Sequence, residues 1–212
     1  MKDSQLYNIK NIIFDWGGVI TEIDFDATIN AFKKYGINDF EKHYCKAYQS
    51  ELFQAHEIGK ITPDKFREEL RKLIPVSVTD KEIDEAWFAM LLDTPPNNLE
   101  IIKSVKNEFN IYLLSNTNAI HVDMYDKIFE EKYNFKEKFR SLFIKAYYSH
   151  EIGMRKPDED VFEYILSDSD LDPNETLFID DSIQNISAAK NVGIKTYHIE
   201  GDNSIEKLFG ND

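Results

Sequence analysis

Three positions in this sequence end short apolar runs on residues able to do chemistry: Asp15, Ser115-Asn116 and Asp180-Asp181. A fourth, Lys156, stands in Gly153-Met154-Arg155-Lys156-Pro157, just ahead of a helical pattern. Three carboxylates held together repel one another unless a cation sits among them. Mg²⁺ suits such a group, because it prefers oxygen ligands: a few carboxylates, water and substrate phosphate. Ser115, Asn116 and Lys156 would then supply donors to phosphate oxygens, the lysine as a point charge. An aspartate can also attack phosphorus directly and form an aspartyl-phosphate. The set reads as metal-assisted phosphoryl transfer to water. Each residue alone has a plainer explanation: Asp15 as a turn cap, Lys156 as a solvated lysine, Asp181 as the N-cap of the next helix.

For these groups to converge, the runs that carry them must be neighbouring strands of one sheet. Asn11–Asp15, Ile111–Ser115 and Thr176–Asp180 are almost continuously apolar, as strands buried on both faces of a parallel sheet are. Phe143–Tyr147 and Ile194–Ile199 are two further candidates. Helical patterns separate the runs, which predicts a doubly wound, Rossmann-like α/β core. Ligands of such sheets bind beyond the carboxyl ends of the strands, where the polar residues lie. One helix is expected after Ser182, with Gly193 at its end, and another from Pro157. Residues 22–94 differ: they hold no strong strand signal, and amphipathic helices fit near Phe25–Tyr35, Phe40–Leu52, Thr62–Ile74 and Asp80–Leu92. The expected organisation is a core of residues 1–21 and 95–212 with an all-helical cap, 22–94, inserted between the first two core strands.

Four segments together resemble the haloacid dehalogenase-like (HAD) hydrolase superfamily. Phe14-Asp15-Trp16-Gly17-Gly18-Val19 is similar to its first motif, Leu113-Leu114-Ser115-Asn116 to its second, Arg155-Lys156-Pro157 to its third, and Phe178-Ile179-Asp180-Asp181-Ser182 with Asn185 to its fourth. They occur in family order, and the insert falls where one branch carries a helical cap. Within the family, Leu114-Ser115-Asn116-Thr117-Asn118, Gly153–Pro157 and Ile23-Asp24-Phe25 look most like bacterial α-D-glucose-1-phosphate phosphatases. The resemblance implies Asp15 as nucleophile and Mg²⁺ ligand, the Gly17 carbonyl as a second ligand and Asp181 as the acidic ligand of the fourth motif. Asp180 would share the metal or orient its waters, and Asn185 would position Asp181 or a metal-bound water. Ser115, the Asn116 backbone and Lys156 would hold the phosphoryl group. The expected enzyme is a Mg²⁺-dependent phosphatase of a small phosphomonoester, first of all a sugar 1-phosphate.

One position departs from the pattern. Most family phosphatases carry an acid/base aspartate two residues after the nucleophile, where this chain has Gly17. General acid–base catalysis contributes about 10²–10⁴-fold. Either the leaving group needs little protonation, as with an anomeric sugar phosphate, or Glu22, Asp24, His56 or Glu57 substitutes. His56 and Glu57, in the loop expected at His56–Lys60, are also candidates for reading the substrate. Trp16 is expected to line the pocket or pack against the insert, and Trp87, Phe88 and Met90 to form the insert's core. Three rivals remain: a protein that kept the fold and lost turnover, a 2-haloacid dehalogenase (for which the acidic pair at 180–181 is awkward), and, weakest, a mutase.

Composition narrows the partners. The 212 residues carry 25 Lys+Arg against 39 Asp+Glu, a net charge of −14, which opposes nucleic acid and anionic membranes. The single cysteine, Cys45, rules out an internal disulfide framework or a cysteine zinc site. No apolar run is long enough to span a membrane, and Met1–Asn8 lacks the apolar core of a signal peptide. The expectation is a cytoplasmic monomer or small homo-oligomer acting on a small molecule.

Overall fold

A computed structural model of the chain describes residues 4–45, 48–133, 138–201 and 204–210. The elements run β1 (Asn11–Phe14), α1 (Phe25–Lys33), β2 (Tyr44–Cys45), β3 (Tyr48–Gln49), α2 (Glu51–Glu57), α3 (Pro63–Leu73), α4 (Asp80–Phe88) and α5 (Pro96–Val105). They continue with β4 (Asn110–Ser115), α6 (Ala119–Tyr133), β5 (Lys145–Tyr148), α7 (Ser149–Ile152), α8 (Glu159–Asp168), β6 (Thr176–Asp180), α9 (Ile183–Asn191), β7 (Lys195–His198) and α10 (Ile205–Phe209).

The core is a five-stranded sheet in the order β5-β4-β1-β6-β7, every pairing parallel. Side chains alternate between two buried layers. Ile12, Phe14, Ile111, Leu113, Leu177 and Ile179 enter one apolar cluster, while Ile13, Tyr112, Leu114, Tyr147 and Phe178 enter another. Burial on both faces is why these strands read as continuous apolar runs. The α/β, Rossmann-like core expected from the sequence is thus present. β1 lies centrally between β4 and β6, with Phe14 level with Leu113 and Ile179. The residues just beyond, Asp15, Ser115 and Asp180, therefore meet at one edge of the sheet.

Between β1 and β4 the chain builds a third cluster, from Ile29, Phe32, Phe40, Phe53, Phe66, Leu70, Ile83 and Trp87 among others. Its helices start where local chemistry favours it. Thr62 accepts from the Lys65 N–H ahead of a helix with Pro63 in its first turn, and Thr79 with Glu82 forms a capping box. The two chain crossings run side by side: Glu22 N donates to the Asp93 carbonyl and Leu92 N to the Glu22 carbonyl. The Thr21 and Thr94 hydroxyls meet at 2.6 Å.

The insert is not entirely helical. In place of the helix expected near Phe40–Leu52 stand a 3₁₀ turn at Phe40–Lys42, the hairpin β2–β3 and the start of α2; residues 46 and 47 of that expectation lie outside the described residues. The expected strand at Phe143–Tyr147 is shifted to β5, after a 3₁₀ turn at Phe139–Leu142 that buries Phe139 and Leu142. The helix expected from Pro157 begins at Glu159, because Asp158 adopts extended backbone as its N-cap. Gly193 ends α9 with φ +87°, as its position suggested.

Candidate active site

The carboxyl edge of the sheet forms the floor of a cavity of about 320 Å³, which the insert walls on the opposite side. Asp15, Gly17, Gly18, Ser115, Asn116, Lys156, Asp181 and Asn185 line it from the core. Tyr44, Gln49, Glu57, Trp87 and Met90 line it from the insert.

Lys156 is the organising cation. Its Nζ lies 2.9 Å from Asp15 Oδ1 and 2.7 Å from Asp180 Oδ2, with the side chain only 1 % exposed. Burial opposes the charge on Lys156, but Asp15 and Asp180 more than offset it and hold the ammonium above its ordinary range. Burial raises Asp15 well above the usual carboxylate range; Lys156 pulls it down, while Asp180 and Asp181 add to the rise. Asn116 fixes the lysine's backbone from both sides: its Oδ1 accepts from Lys156 N at 2.9 Å and its Nδ2 donates to the Lys156 carbonyl at 2.8 Å. The Asn116 side chain therefore places Lys156, and only its backbone remains for a phosphoryl group.

Asp180 is fully buried and occupied on both oxygens. Oδ1 accepts from Ser182 N at 2.7 Å and Asn185 Nδ2 at 2.9 Å, and Oδ2 accepts from Lys156. Asn185 thus braces Asp180, where the sequence reading had it positioning Asp181 or a metal-bound water. Asp181 is partly exposed at the cavity edge, packed over Gly18: a Cβ there would lie 2.7 Å from the Asp181 Cγ, and φ is +77°. The absence of a side chain at Gly18 leaves the carboxylate its place.

The donor set fits Mg²⁺. Carboxylate oxygens of Asp15, Asp180 and Asp181 fall within 4.8 Å of one another, an all-oxygen group suited to a hard cation. Because Asp180 is bound to Lys156, Asn185 and Ser182, the residues that would hold the ion are Asp15, Asp181 and the Gly17 carbonyl.

Of the residues considered as substitutes for the missing acid, only Glu57 lines the cavity. Asp24 caps α1, accepting from Asp26 N, and Glu22 lines two other clefts. His56 is buried and stacked on Phe66, ring centroids 4.1 Å apart. Glu57 faces Arg155, whose Nε is 3.0 Å from Oε1, and accepts from Gln49 Nε2 at 3.1 Å; burial raises its carboxyl, with Arg155 and Gln49 opposing. Trp16 lines the cavity and packs against Tyr125 and Phe139 of the core. Trp87 belongs to the insert's core and also lines the cavity.

Sequence reasoning missed Gln49, Tyr44, Arg155 and Ser149. Tyr44 and Gln49 are a cross-strand pair of the unforeseen hairpin. Ser149 Oγ accepts from Thr117 N at 2.8 Å and donates to the Glu57 carbonyl at 2.7 Å, tying the insert to the core. Arg155 had been passed over as the neighbour of Lys156, although its place in the same segment was the available signal.

A family model described as haloacid dehalogenase-like hydrolase matches residues 9–193. The chain belongs to that family. It is similar to the D-ribitol-5-phosphate phosphatase of Bacteroides thetaiotaomicron, 34% identical over 192 residues, 91% of this chain and 92% of the relative. Among solved structures it resembles a HAD family enzyme from the same organism, an aspartate-to-alanine mutant in complex with magnesium and inorganic phosphate. That match has a TM-score of 0.87 and 35% identity, over 96% of this chain and 100% of the other. A HAD-like hydrolase from Porphyromonas gingivalis matches with a TM-score of 0.84 and 30% identity, over 96% and 99% of the two chains. The solved Bacteroides relative thus binds magnesium and inorganic phosphate, and this HAD-like hydrolase carries the all-oxygen group of Asp15, Asp180 and Asp181 described above. Haloacid dehalogenase structures match at 14% identity, a likeness of fold alone.

Proposed function

We propose that this chain hydrolyses the phosphomonoester of a small sugar or polyol through an aspartyl-phosphate on Asp15. The observation that carries the reading is the buried Asp15–Lys156–Asp180 arrangement at the cavity floor, with Asp181 and Ser115 on its rim. Asp15 attacks phosphorus, the bond to the ester oxygen breaks, and the alcohol leaves. Water then cleaves the acyl phosphate, so one water is consumed and inorganic phosphate is released. Lys156, Ser115 and the Asn116 backbone hold the equatorial oxygens, while Asp180 and Asn185 keep Lys156 in place. Bound Mg²⁺ would supply the positive charge that lets an anionic nucleophile meet an anionic ester.

The relative's named substrate, D-ribitol 5-phosphate, and the anomeric sugar phosphate favoured by Gly17 share a polyhydroxylated chain carrying one phosphate. The insert, residues 22–94, acts in this reading as a cap over the core formed by 1–21 and 95–212. No described helix is long and apolar enough to cross a membrane; the cytoplasm is the proposed site of action.

The test is phosphate release from D-ribitol 5-phosphate and a panel of sugar phosphates, with Mg²⁺ or with EDTA, for the wild type and Asp15→Asn. Turnover that needs Mg²⁺ and falls at least 10³-fold in Asp15→Asn, the order expected for losing a nucleophile, is the expected result. An active Asp15→Asn enzyme would remove Asp15 from the chemistry. A wild type that binds these esters without hydrolysing them would return the protein to the fold-retaining, non-catalytic class.

A further inference from the structure

We infer that Thr21 is a positioning residue for Asp15 and the Gly17 carbonyl: with Thr94 and Tyr125 it closes a ring of three hydroxyls that anchors Trp16 beside them. The inference rests on the phosphatase reading above and adds to it residues that do not line the cavity.

The ring is built from buried side chains. Trp16 Nε1 donates to Thr21 Oγ1 at 2.9 Å. The same oxygen lies 2.6 Å from Thr94 Oγ1 and 3.3 Å from the Tyr125 hydroxyl. Thr94 Oγ1 meets that hydroxyl in turn, and all four side chains are buried. A hydroxyl donates once and accepts through two lone pairs. Three hydroxyls in a ring therefore give one another a donor and an acceptor each, and Thr21 keeps a second lone pair for the indole N–H. The ring is complete in itself, so removing one hydroxyl leaves a buried polar atom with no substitute partner.

Thr21 also holds the turn after β1 through its backbone. Its carbonyl accepts from Gly18 N at 2.8 Å, its N–H donates to the Trp16 carbonyl at 2.9 Å, and Gly17 is bridged to it. Gly17 and Gly18 offer no side chain to fix their peptide planes, which leaves the orientation of the Gly17 carbonyl to these bonds. Trp16 N donates to Asp15 Oδ1 at 2.7 Å, the oxygen that Lys156 Nζ approaches at 2.9 Å. Two donors thus hold Oδ1, one from the turn and one from the lysine. The direction of Oδ2 follows from where Trp16 sits.

The ring draws on three separate parts of the chain. Thr21 lies on the crossing that leaves the core, Thr94 on the crossing that returns, and Tyr125 on α6. Tyr133, also on α6, secures Thr94: its hydroxyl accepts from Thr94 N at 2.9 Å and donates to the Thr94 carbonyl at 3.1 Å. The turn that carries Asp15 and the Gly17 carbonyl therefore rests on a long core helix through hydroxyls alone. Partners that orient a metal's ligands in this way change metal affinity or activity about 10- to 100-fold when removed.

The experiment compares the full chain with Thr21→Val, Thr21→Ser, Thr94→Val and Tyr125→Phe. Tyr147→Phe is the control: Tyr147 is a buried tyrosine of β5 whose hydroxyl meets Asp168 and Ser169, away from the cavity. Two quantities are read: Mg²⁺ affinity by titration calorimetry without substrate, and kcat and KM on D-ribitol 5-phosphate. Thr21→Val keeps the shape and strands the Trp16 N–H. It is expected to weaken Mg²⁺ binding and lower kcat, each about 10- to 100-fold, with little change in KM. Thr21→Ser restores the hydroxyl and is expected to return both close to wild type. Thr94→Val and Tyr125→Phe open the ring one step further out; they are expected to lower both several-fold, and they carry the test if Thr21→Val fails to fold. Tyr147→Phe is expected to lower the melting temperature and leave both quantities unchanged. Wild-type Mg²⁺ affinity and kcat in the folded ring variants, or an equal loss in Thr21→Ser or Tyr147→Phe, overturns the positioning role. A wild type that binds Mg²⁺ but hydrolyses no ester instead overturns the phosphatase reading, and the Mg²⁺ titration still decides the role of Thr21.

Discussion

At the scale of single residues, Gly17 is where the chain departs from the motif pattern its sequence otherwise resembles, and its surroundings are closely packed. A Cβ at position 17 would lie 2.0 Å from Ile23 Cδ1. Ile23 pairs with Leu91 where the insert leaves the core, and its side chain occupies the space beside position 17. Gly17→Asp is therefore expected to destabilise by about 1–3 kcal/mol, the scale of overpacking, and to leave kcat no higher. Thermal melting together with kcat on the best substrate checks both halves; a faster Gly17→Asp enzyme would show that Ile23 yields and that the acid was the missing part. Asp15, Lys156 and the paired aspartates were legible in the sequence because each stands at or just past the end of a strand or shortly ahead of a helix, where chain order alone brings them together. The partner of Asn185 was not legible, since choosing between Asp180 and Asp181 depends on which carboxylate turns inward at the end of β6.

At the scale of elements, the sheet was readable and the hairpin was not. Strands buried on both faces leave a strong signal, but β2 and β3 are two residues each, too short for any alternation to show. Their apolar neighbours Phe40, Tyr44 and Phe53 pack into the insert's cluster and so mimic a helical face. The missed hairpin carries Tyr44 and Gln49 into the cavity, and so the sequence reading named Glu57 on the wall opposite the sheet but not these two. The joint between insert and core also depends on close approach. A Cβ on Gly59 would lie 2.2 Å from the His150 carbonyl oxygen, at φ +69°. Gly59→Ala is expected to cost about 2–3 kcal/mol, lowering the melting temperature by roughly 4–10 °C for a chain of this size. Gly153 has a similar φ of +71° but nothing within 4 Å of a Cβ, so Gly153→Ala is expected to cost only about 1 kcal/mol. Equal melting temperatures for the two variants would mean that α2 and α7 part without penalty.

At the scale of the whole molecule, the charge of −14 says little about the site, where the buried Lys156 and a bound divalent ion would together balance the carboxylates of Asp15, Asp180 and Asp181. Two buried imidazoles bear on the stability of the molecule. Burial lowers His56 to about 4, and it lowers His121, whose Nε2 lies 3.0 Å from the Trp87 carbonyl, to about 3. In the unfolded chain both titrate near 6.5. Between those limits the unfolded state binds more protons than the folded one, so stability falls as pH drops below about 6.5. At pH 5 each histidine accounts for roughly 2 kcal/mol of that loss, taking 1.4 kcal/mol per pH unit. Glu57, raised by burial, works in the opposite direction, and the surface carboxylates held low by lysine or arginine, such as Glu69 and Asp80, lose their contribution only in stronger acid. Urea unfolding at pH 7.5, 6 and 5 is expected to show a midpoint that falls steadily, and His56→Gln and His121→Gln should each flatten the slope by close to one proton. Because Glu57 is common to wild type and variants, its effect cancels in the comparison, and a slope unaltered by either substitution would mean that both imidazoles reach solvent in the folded protein.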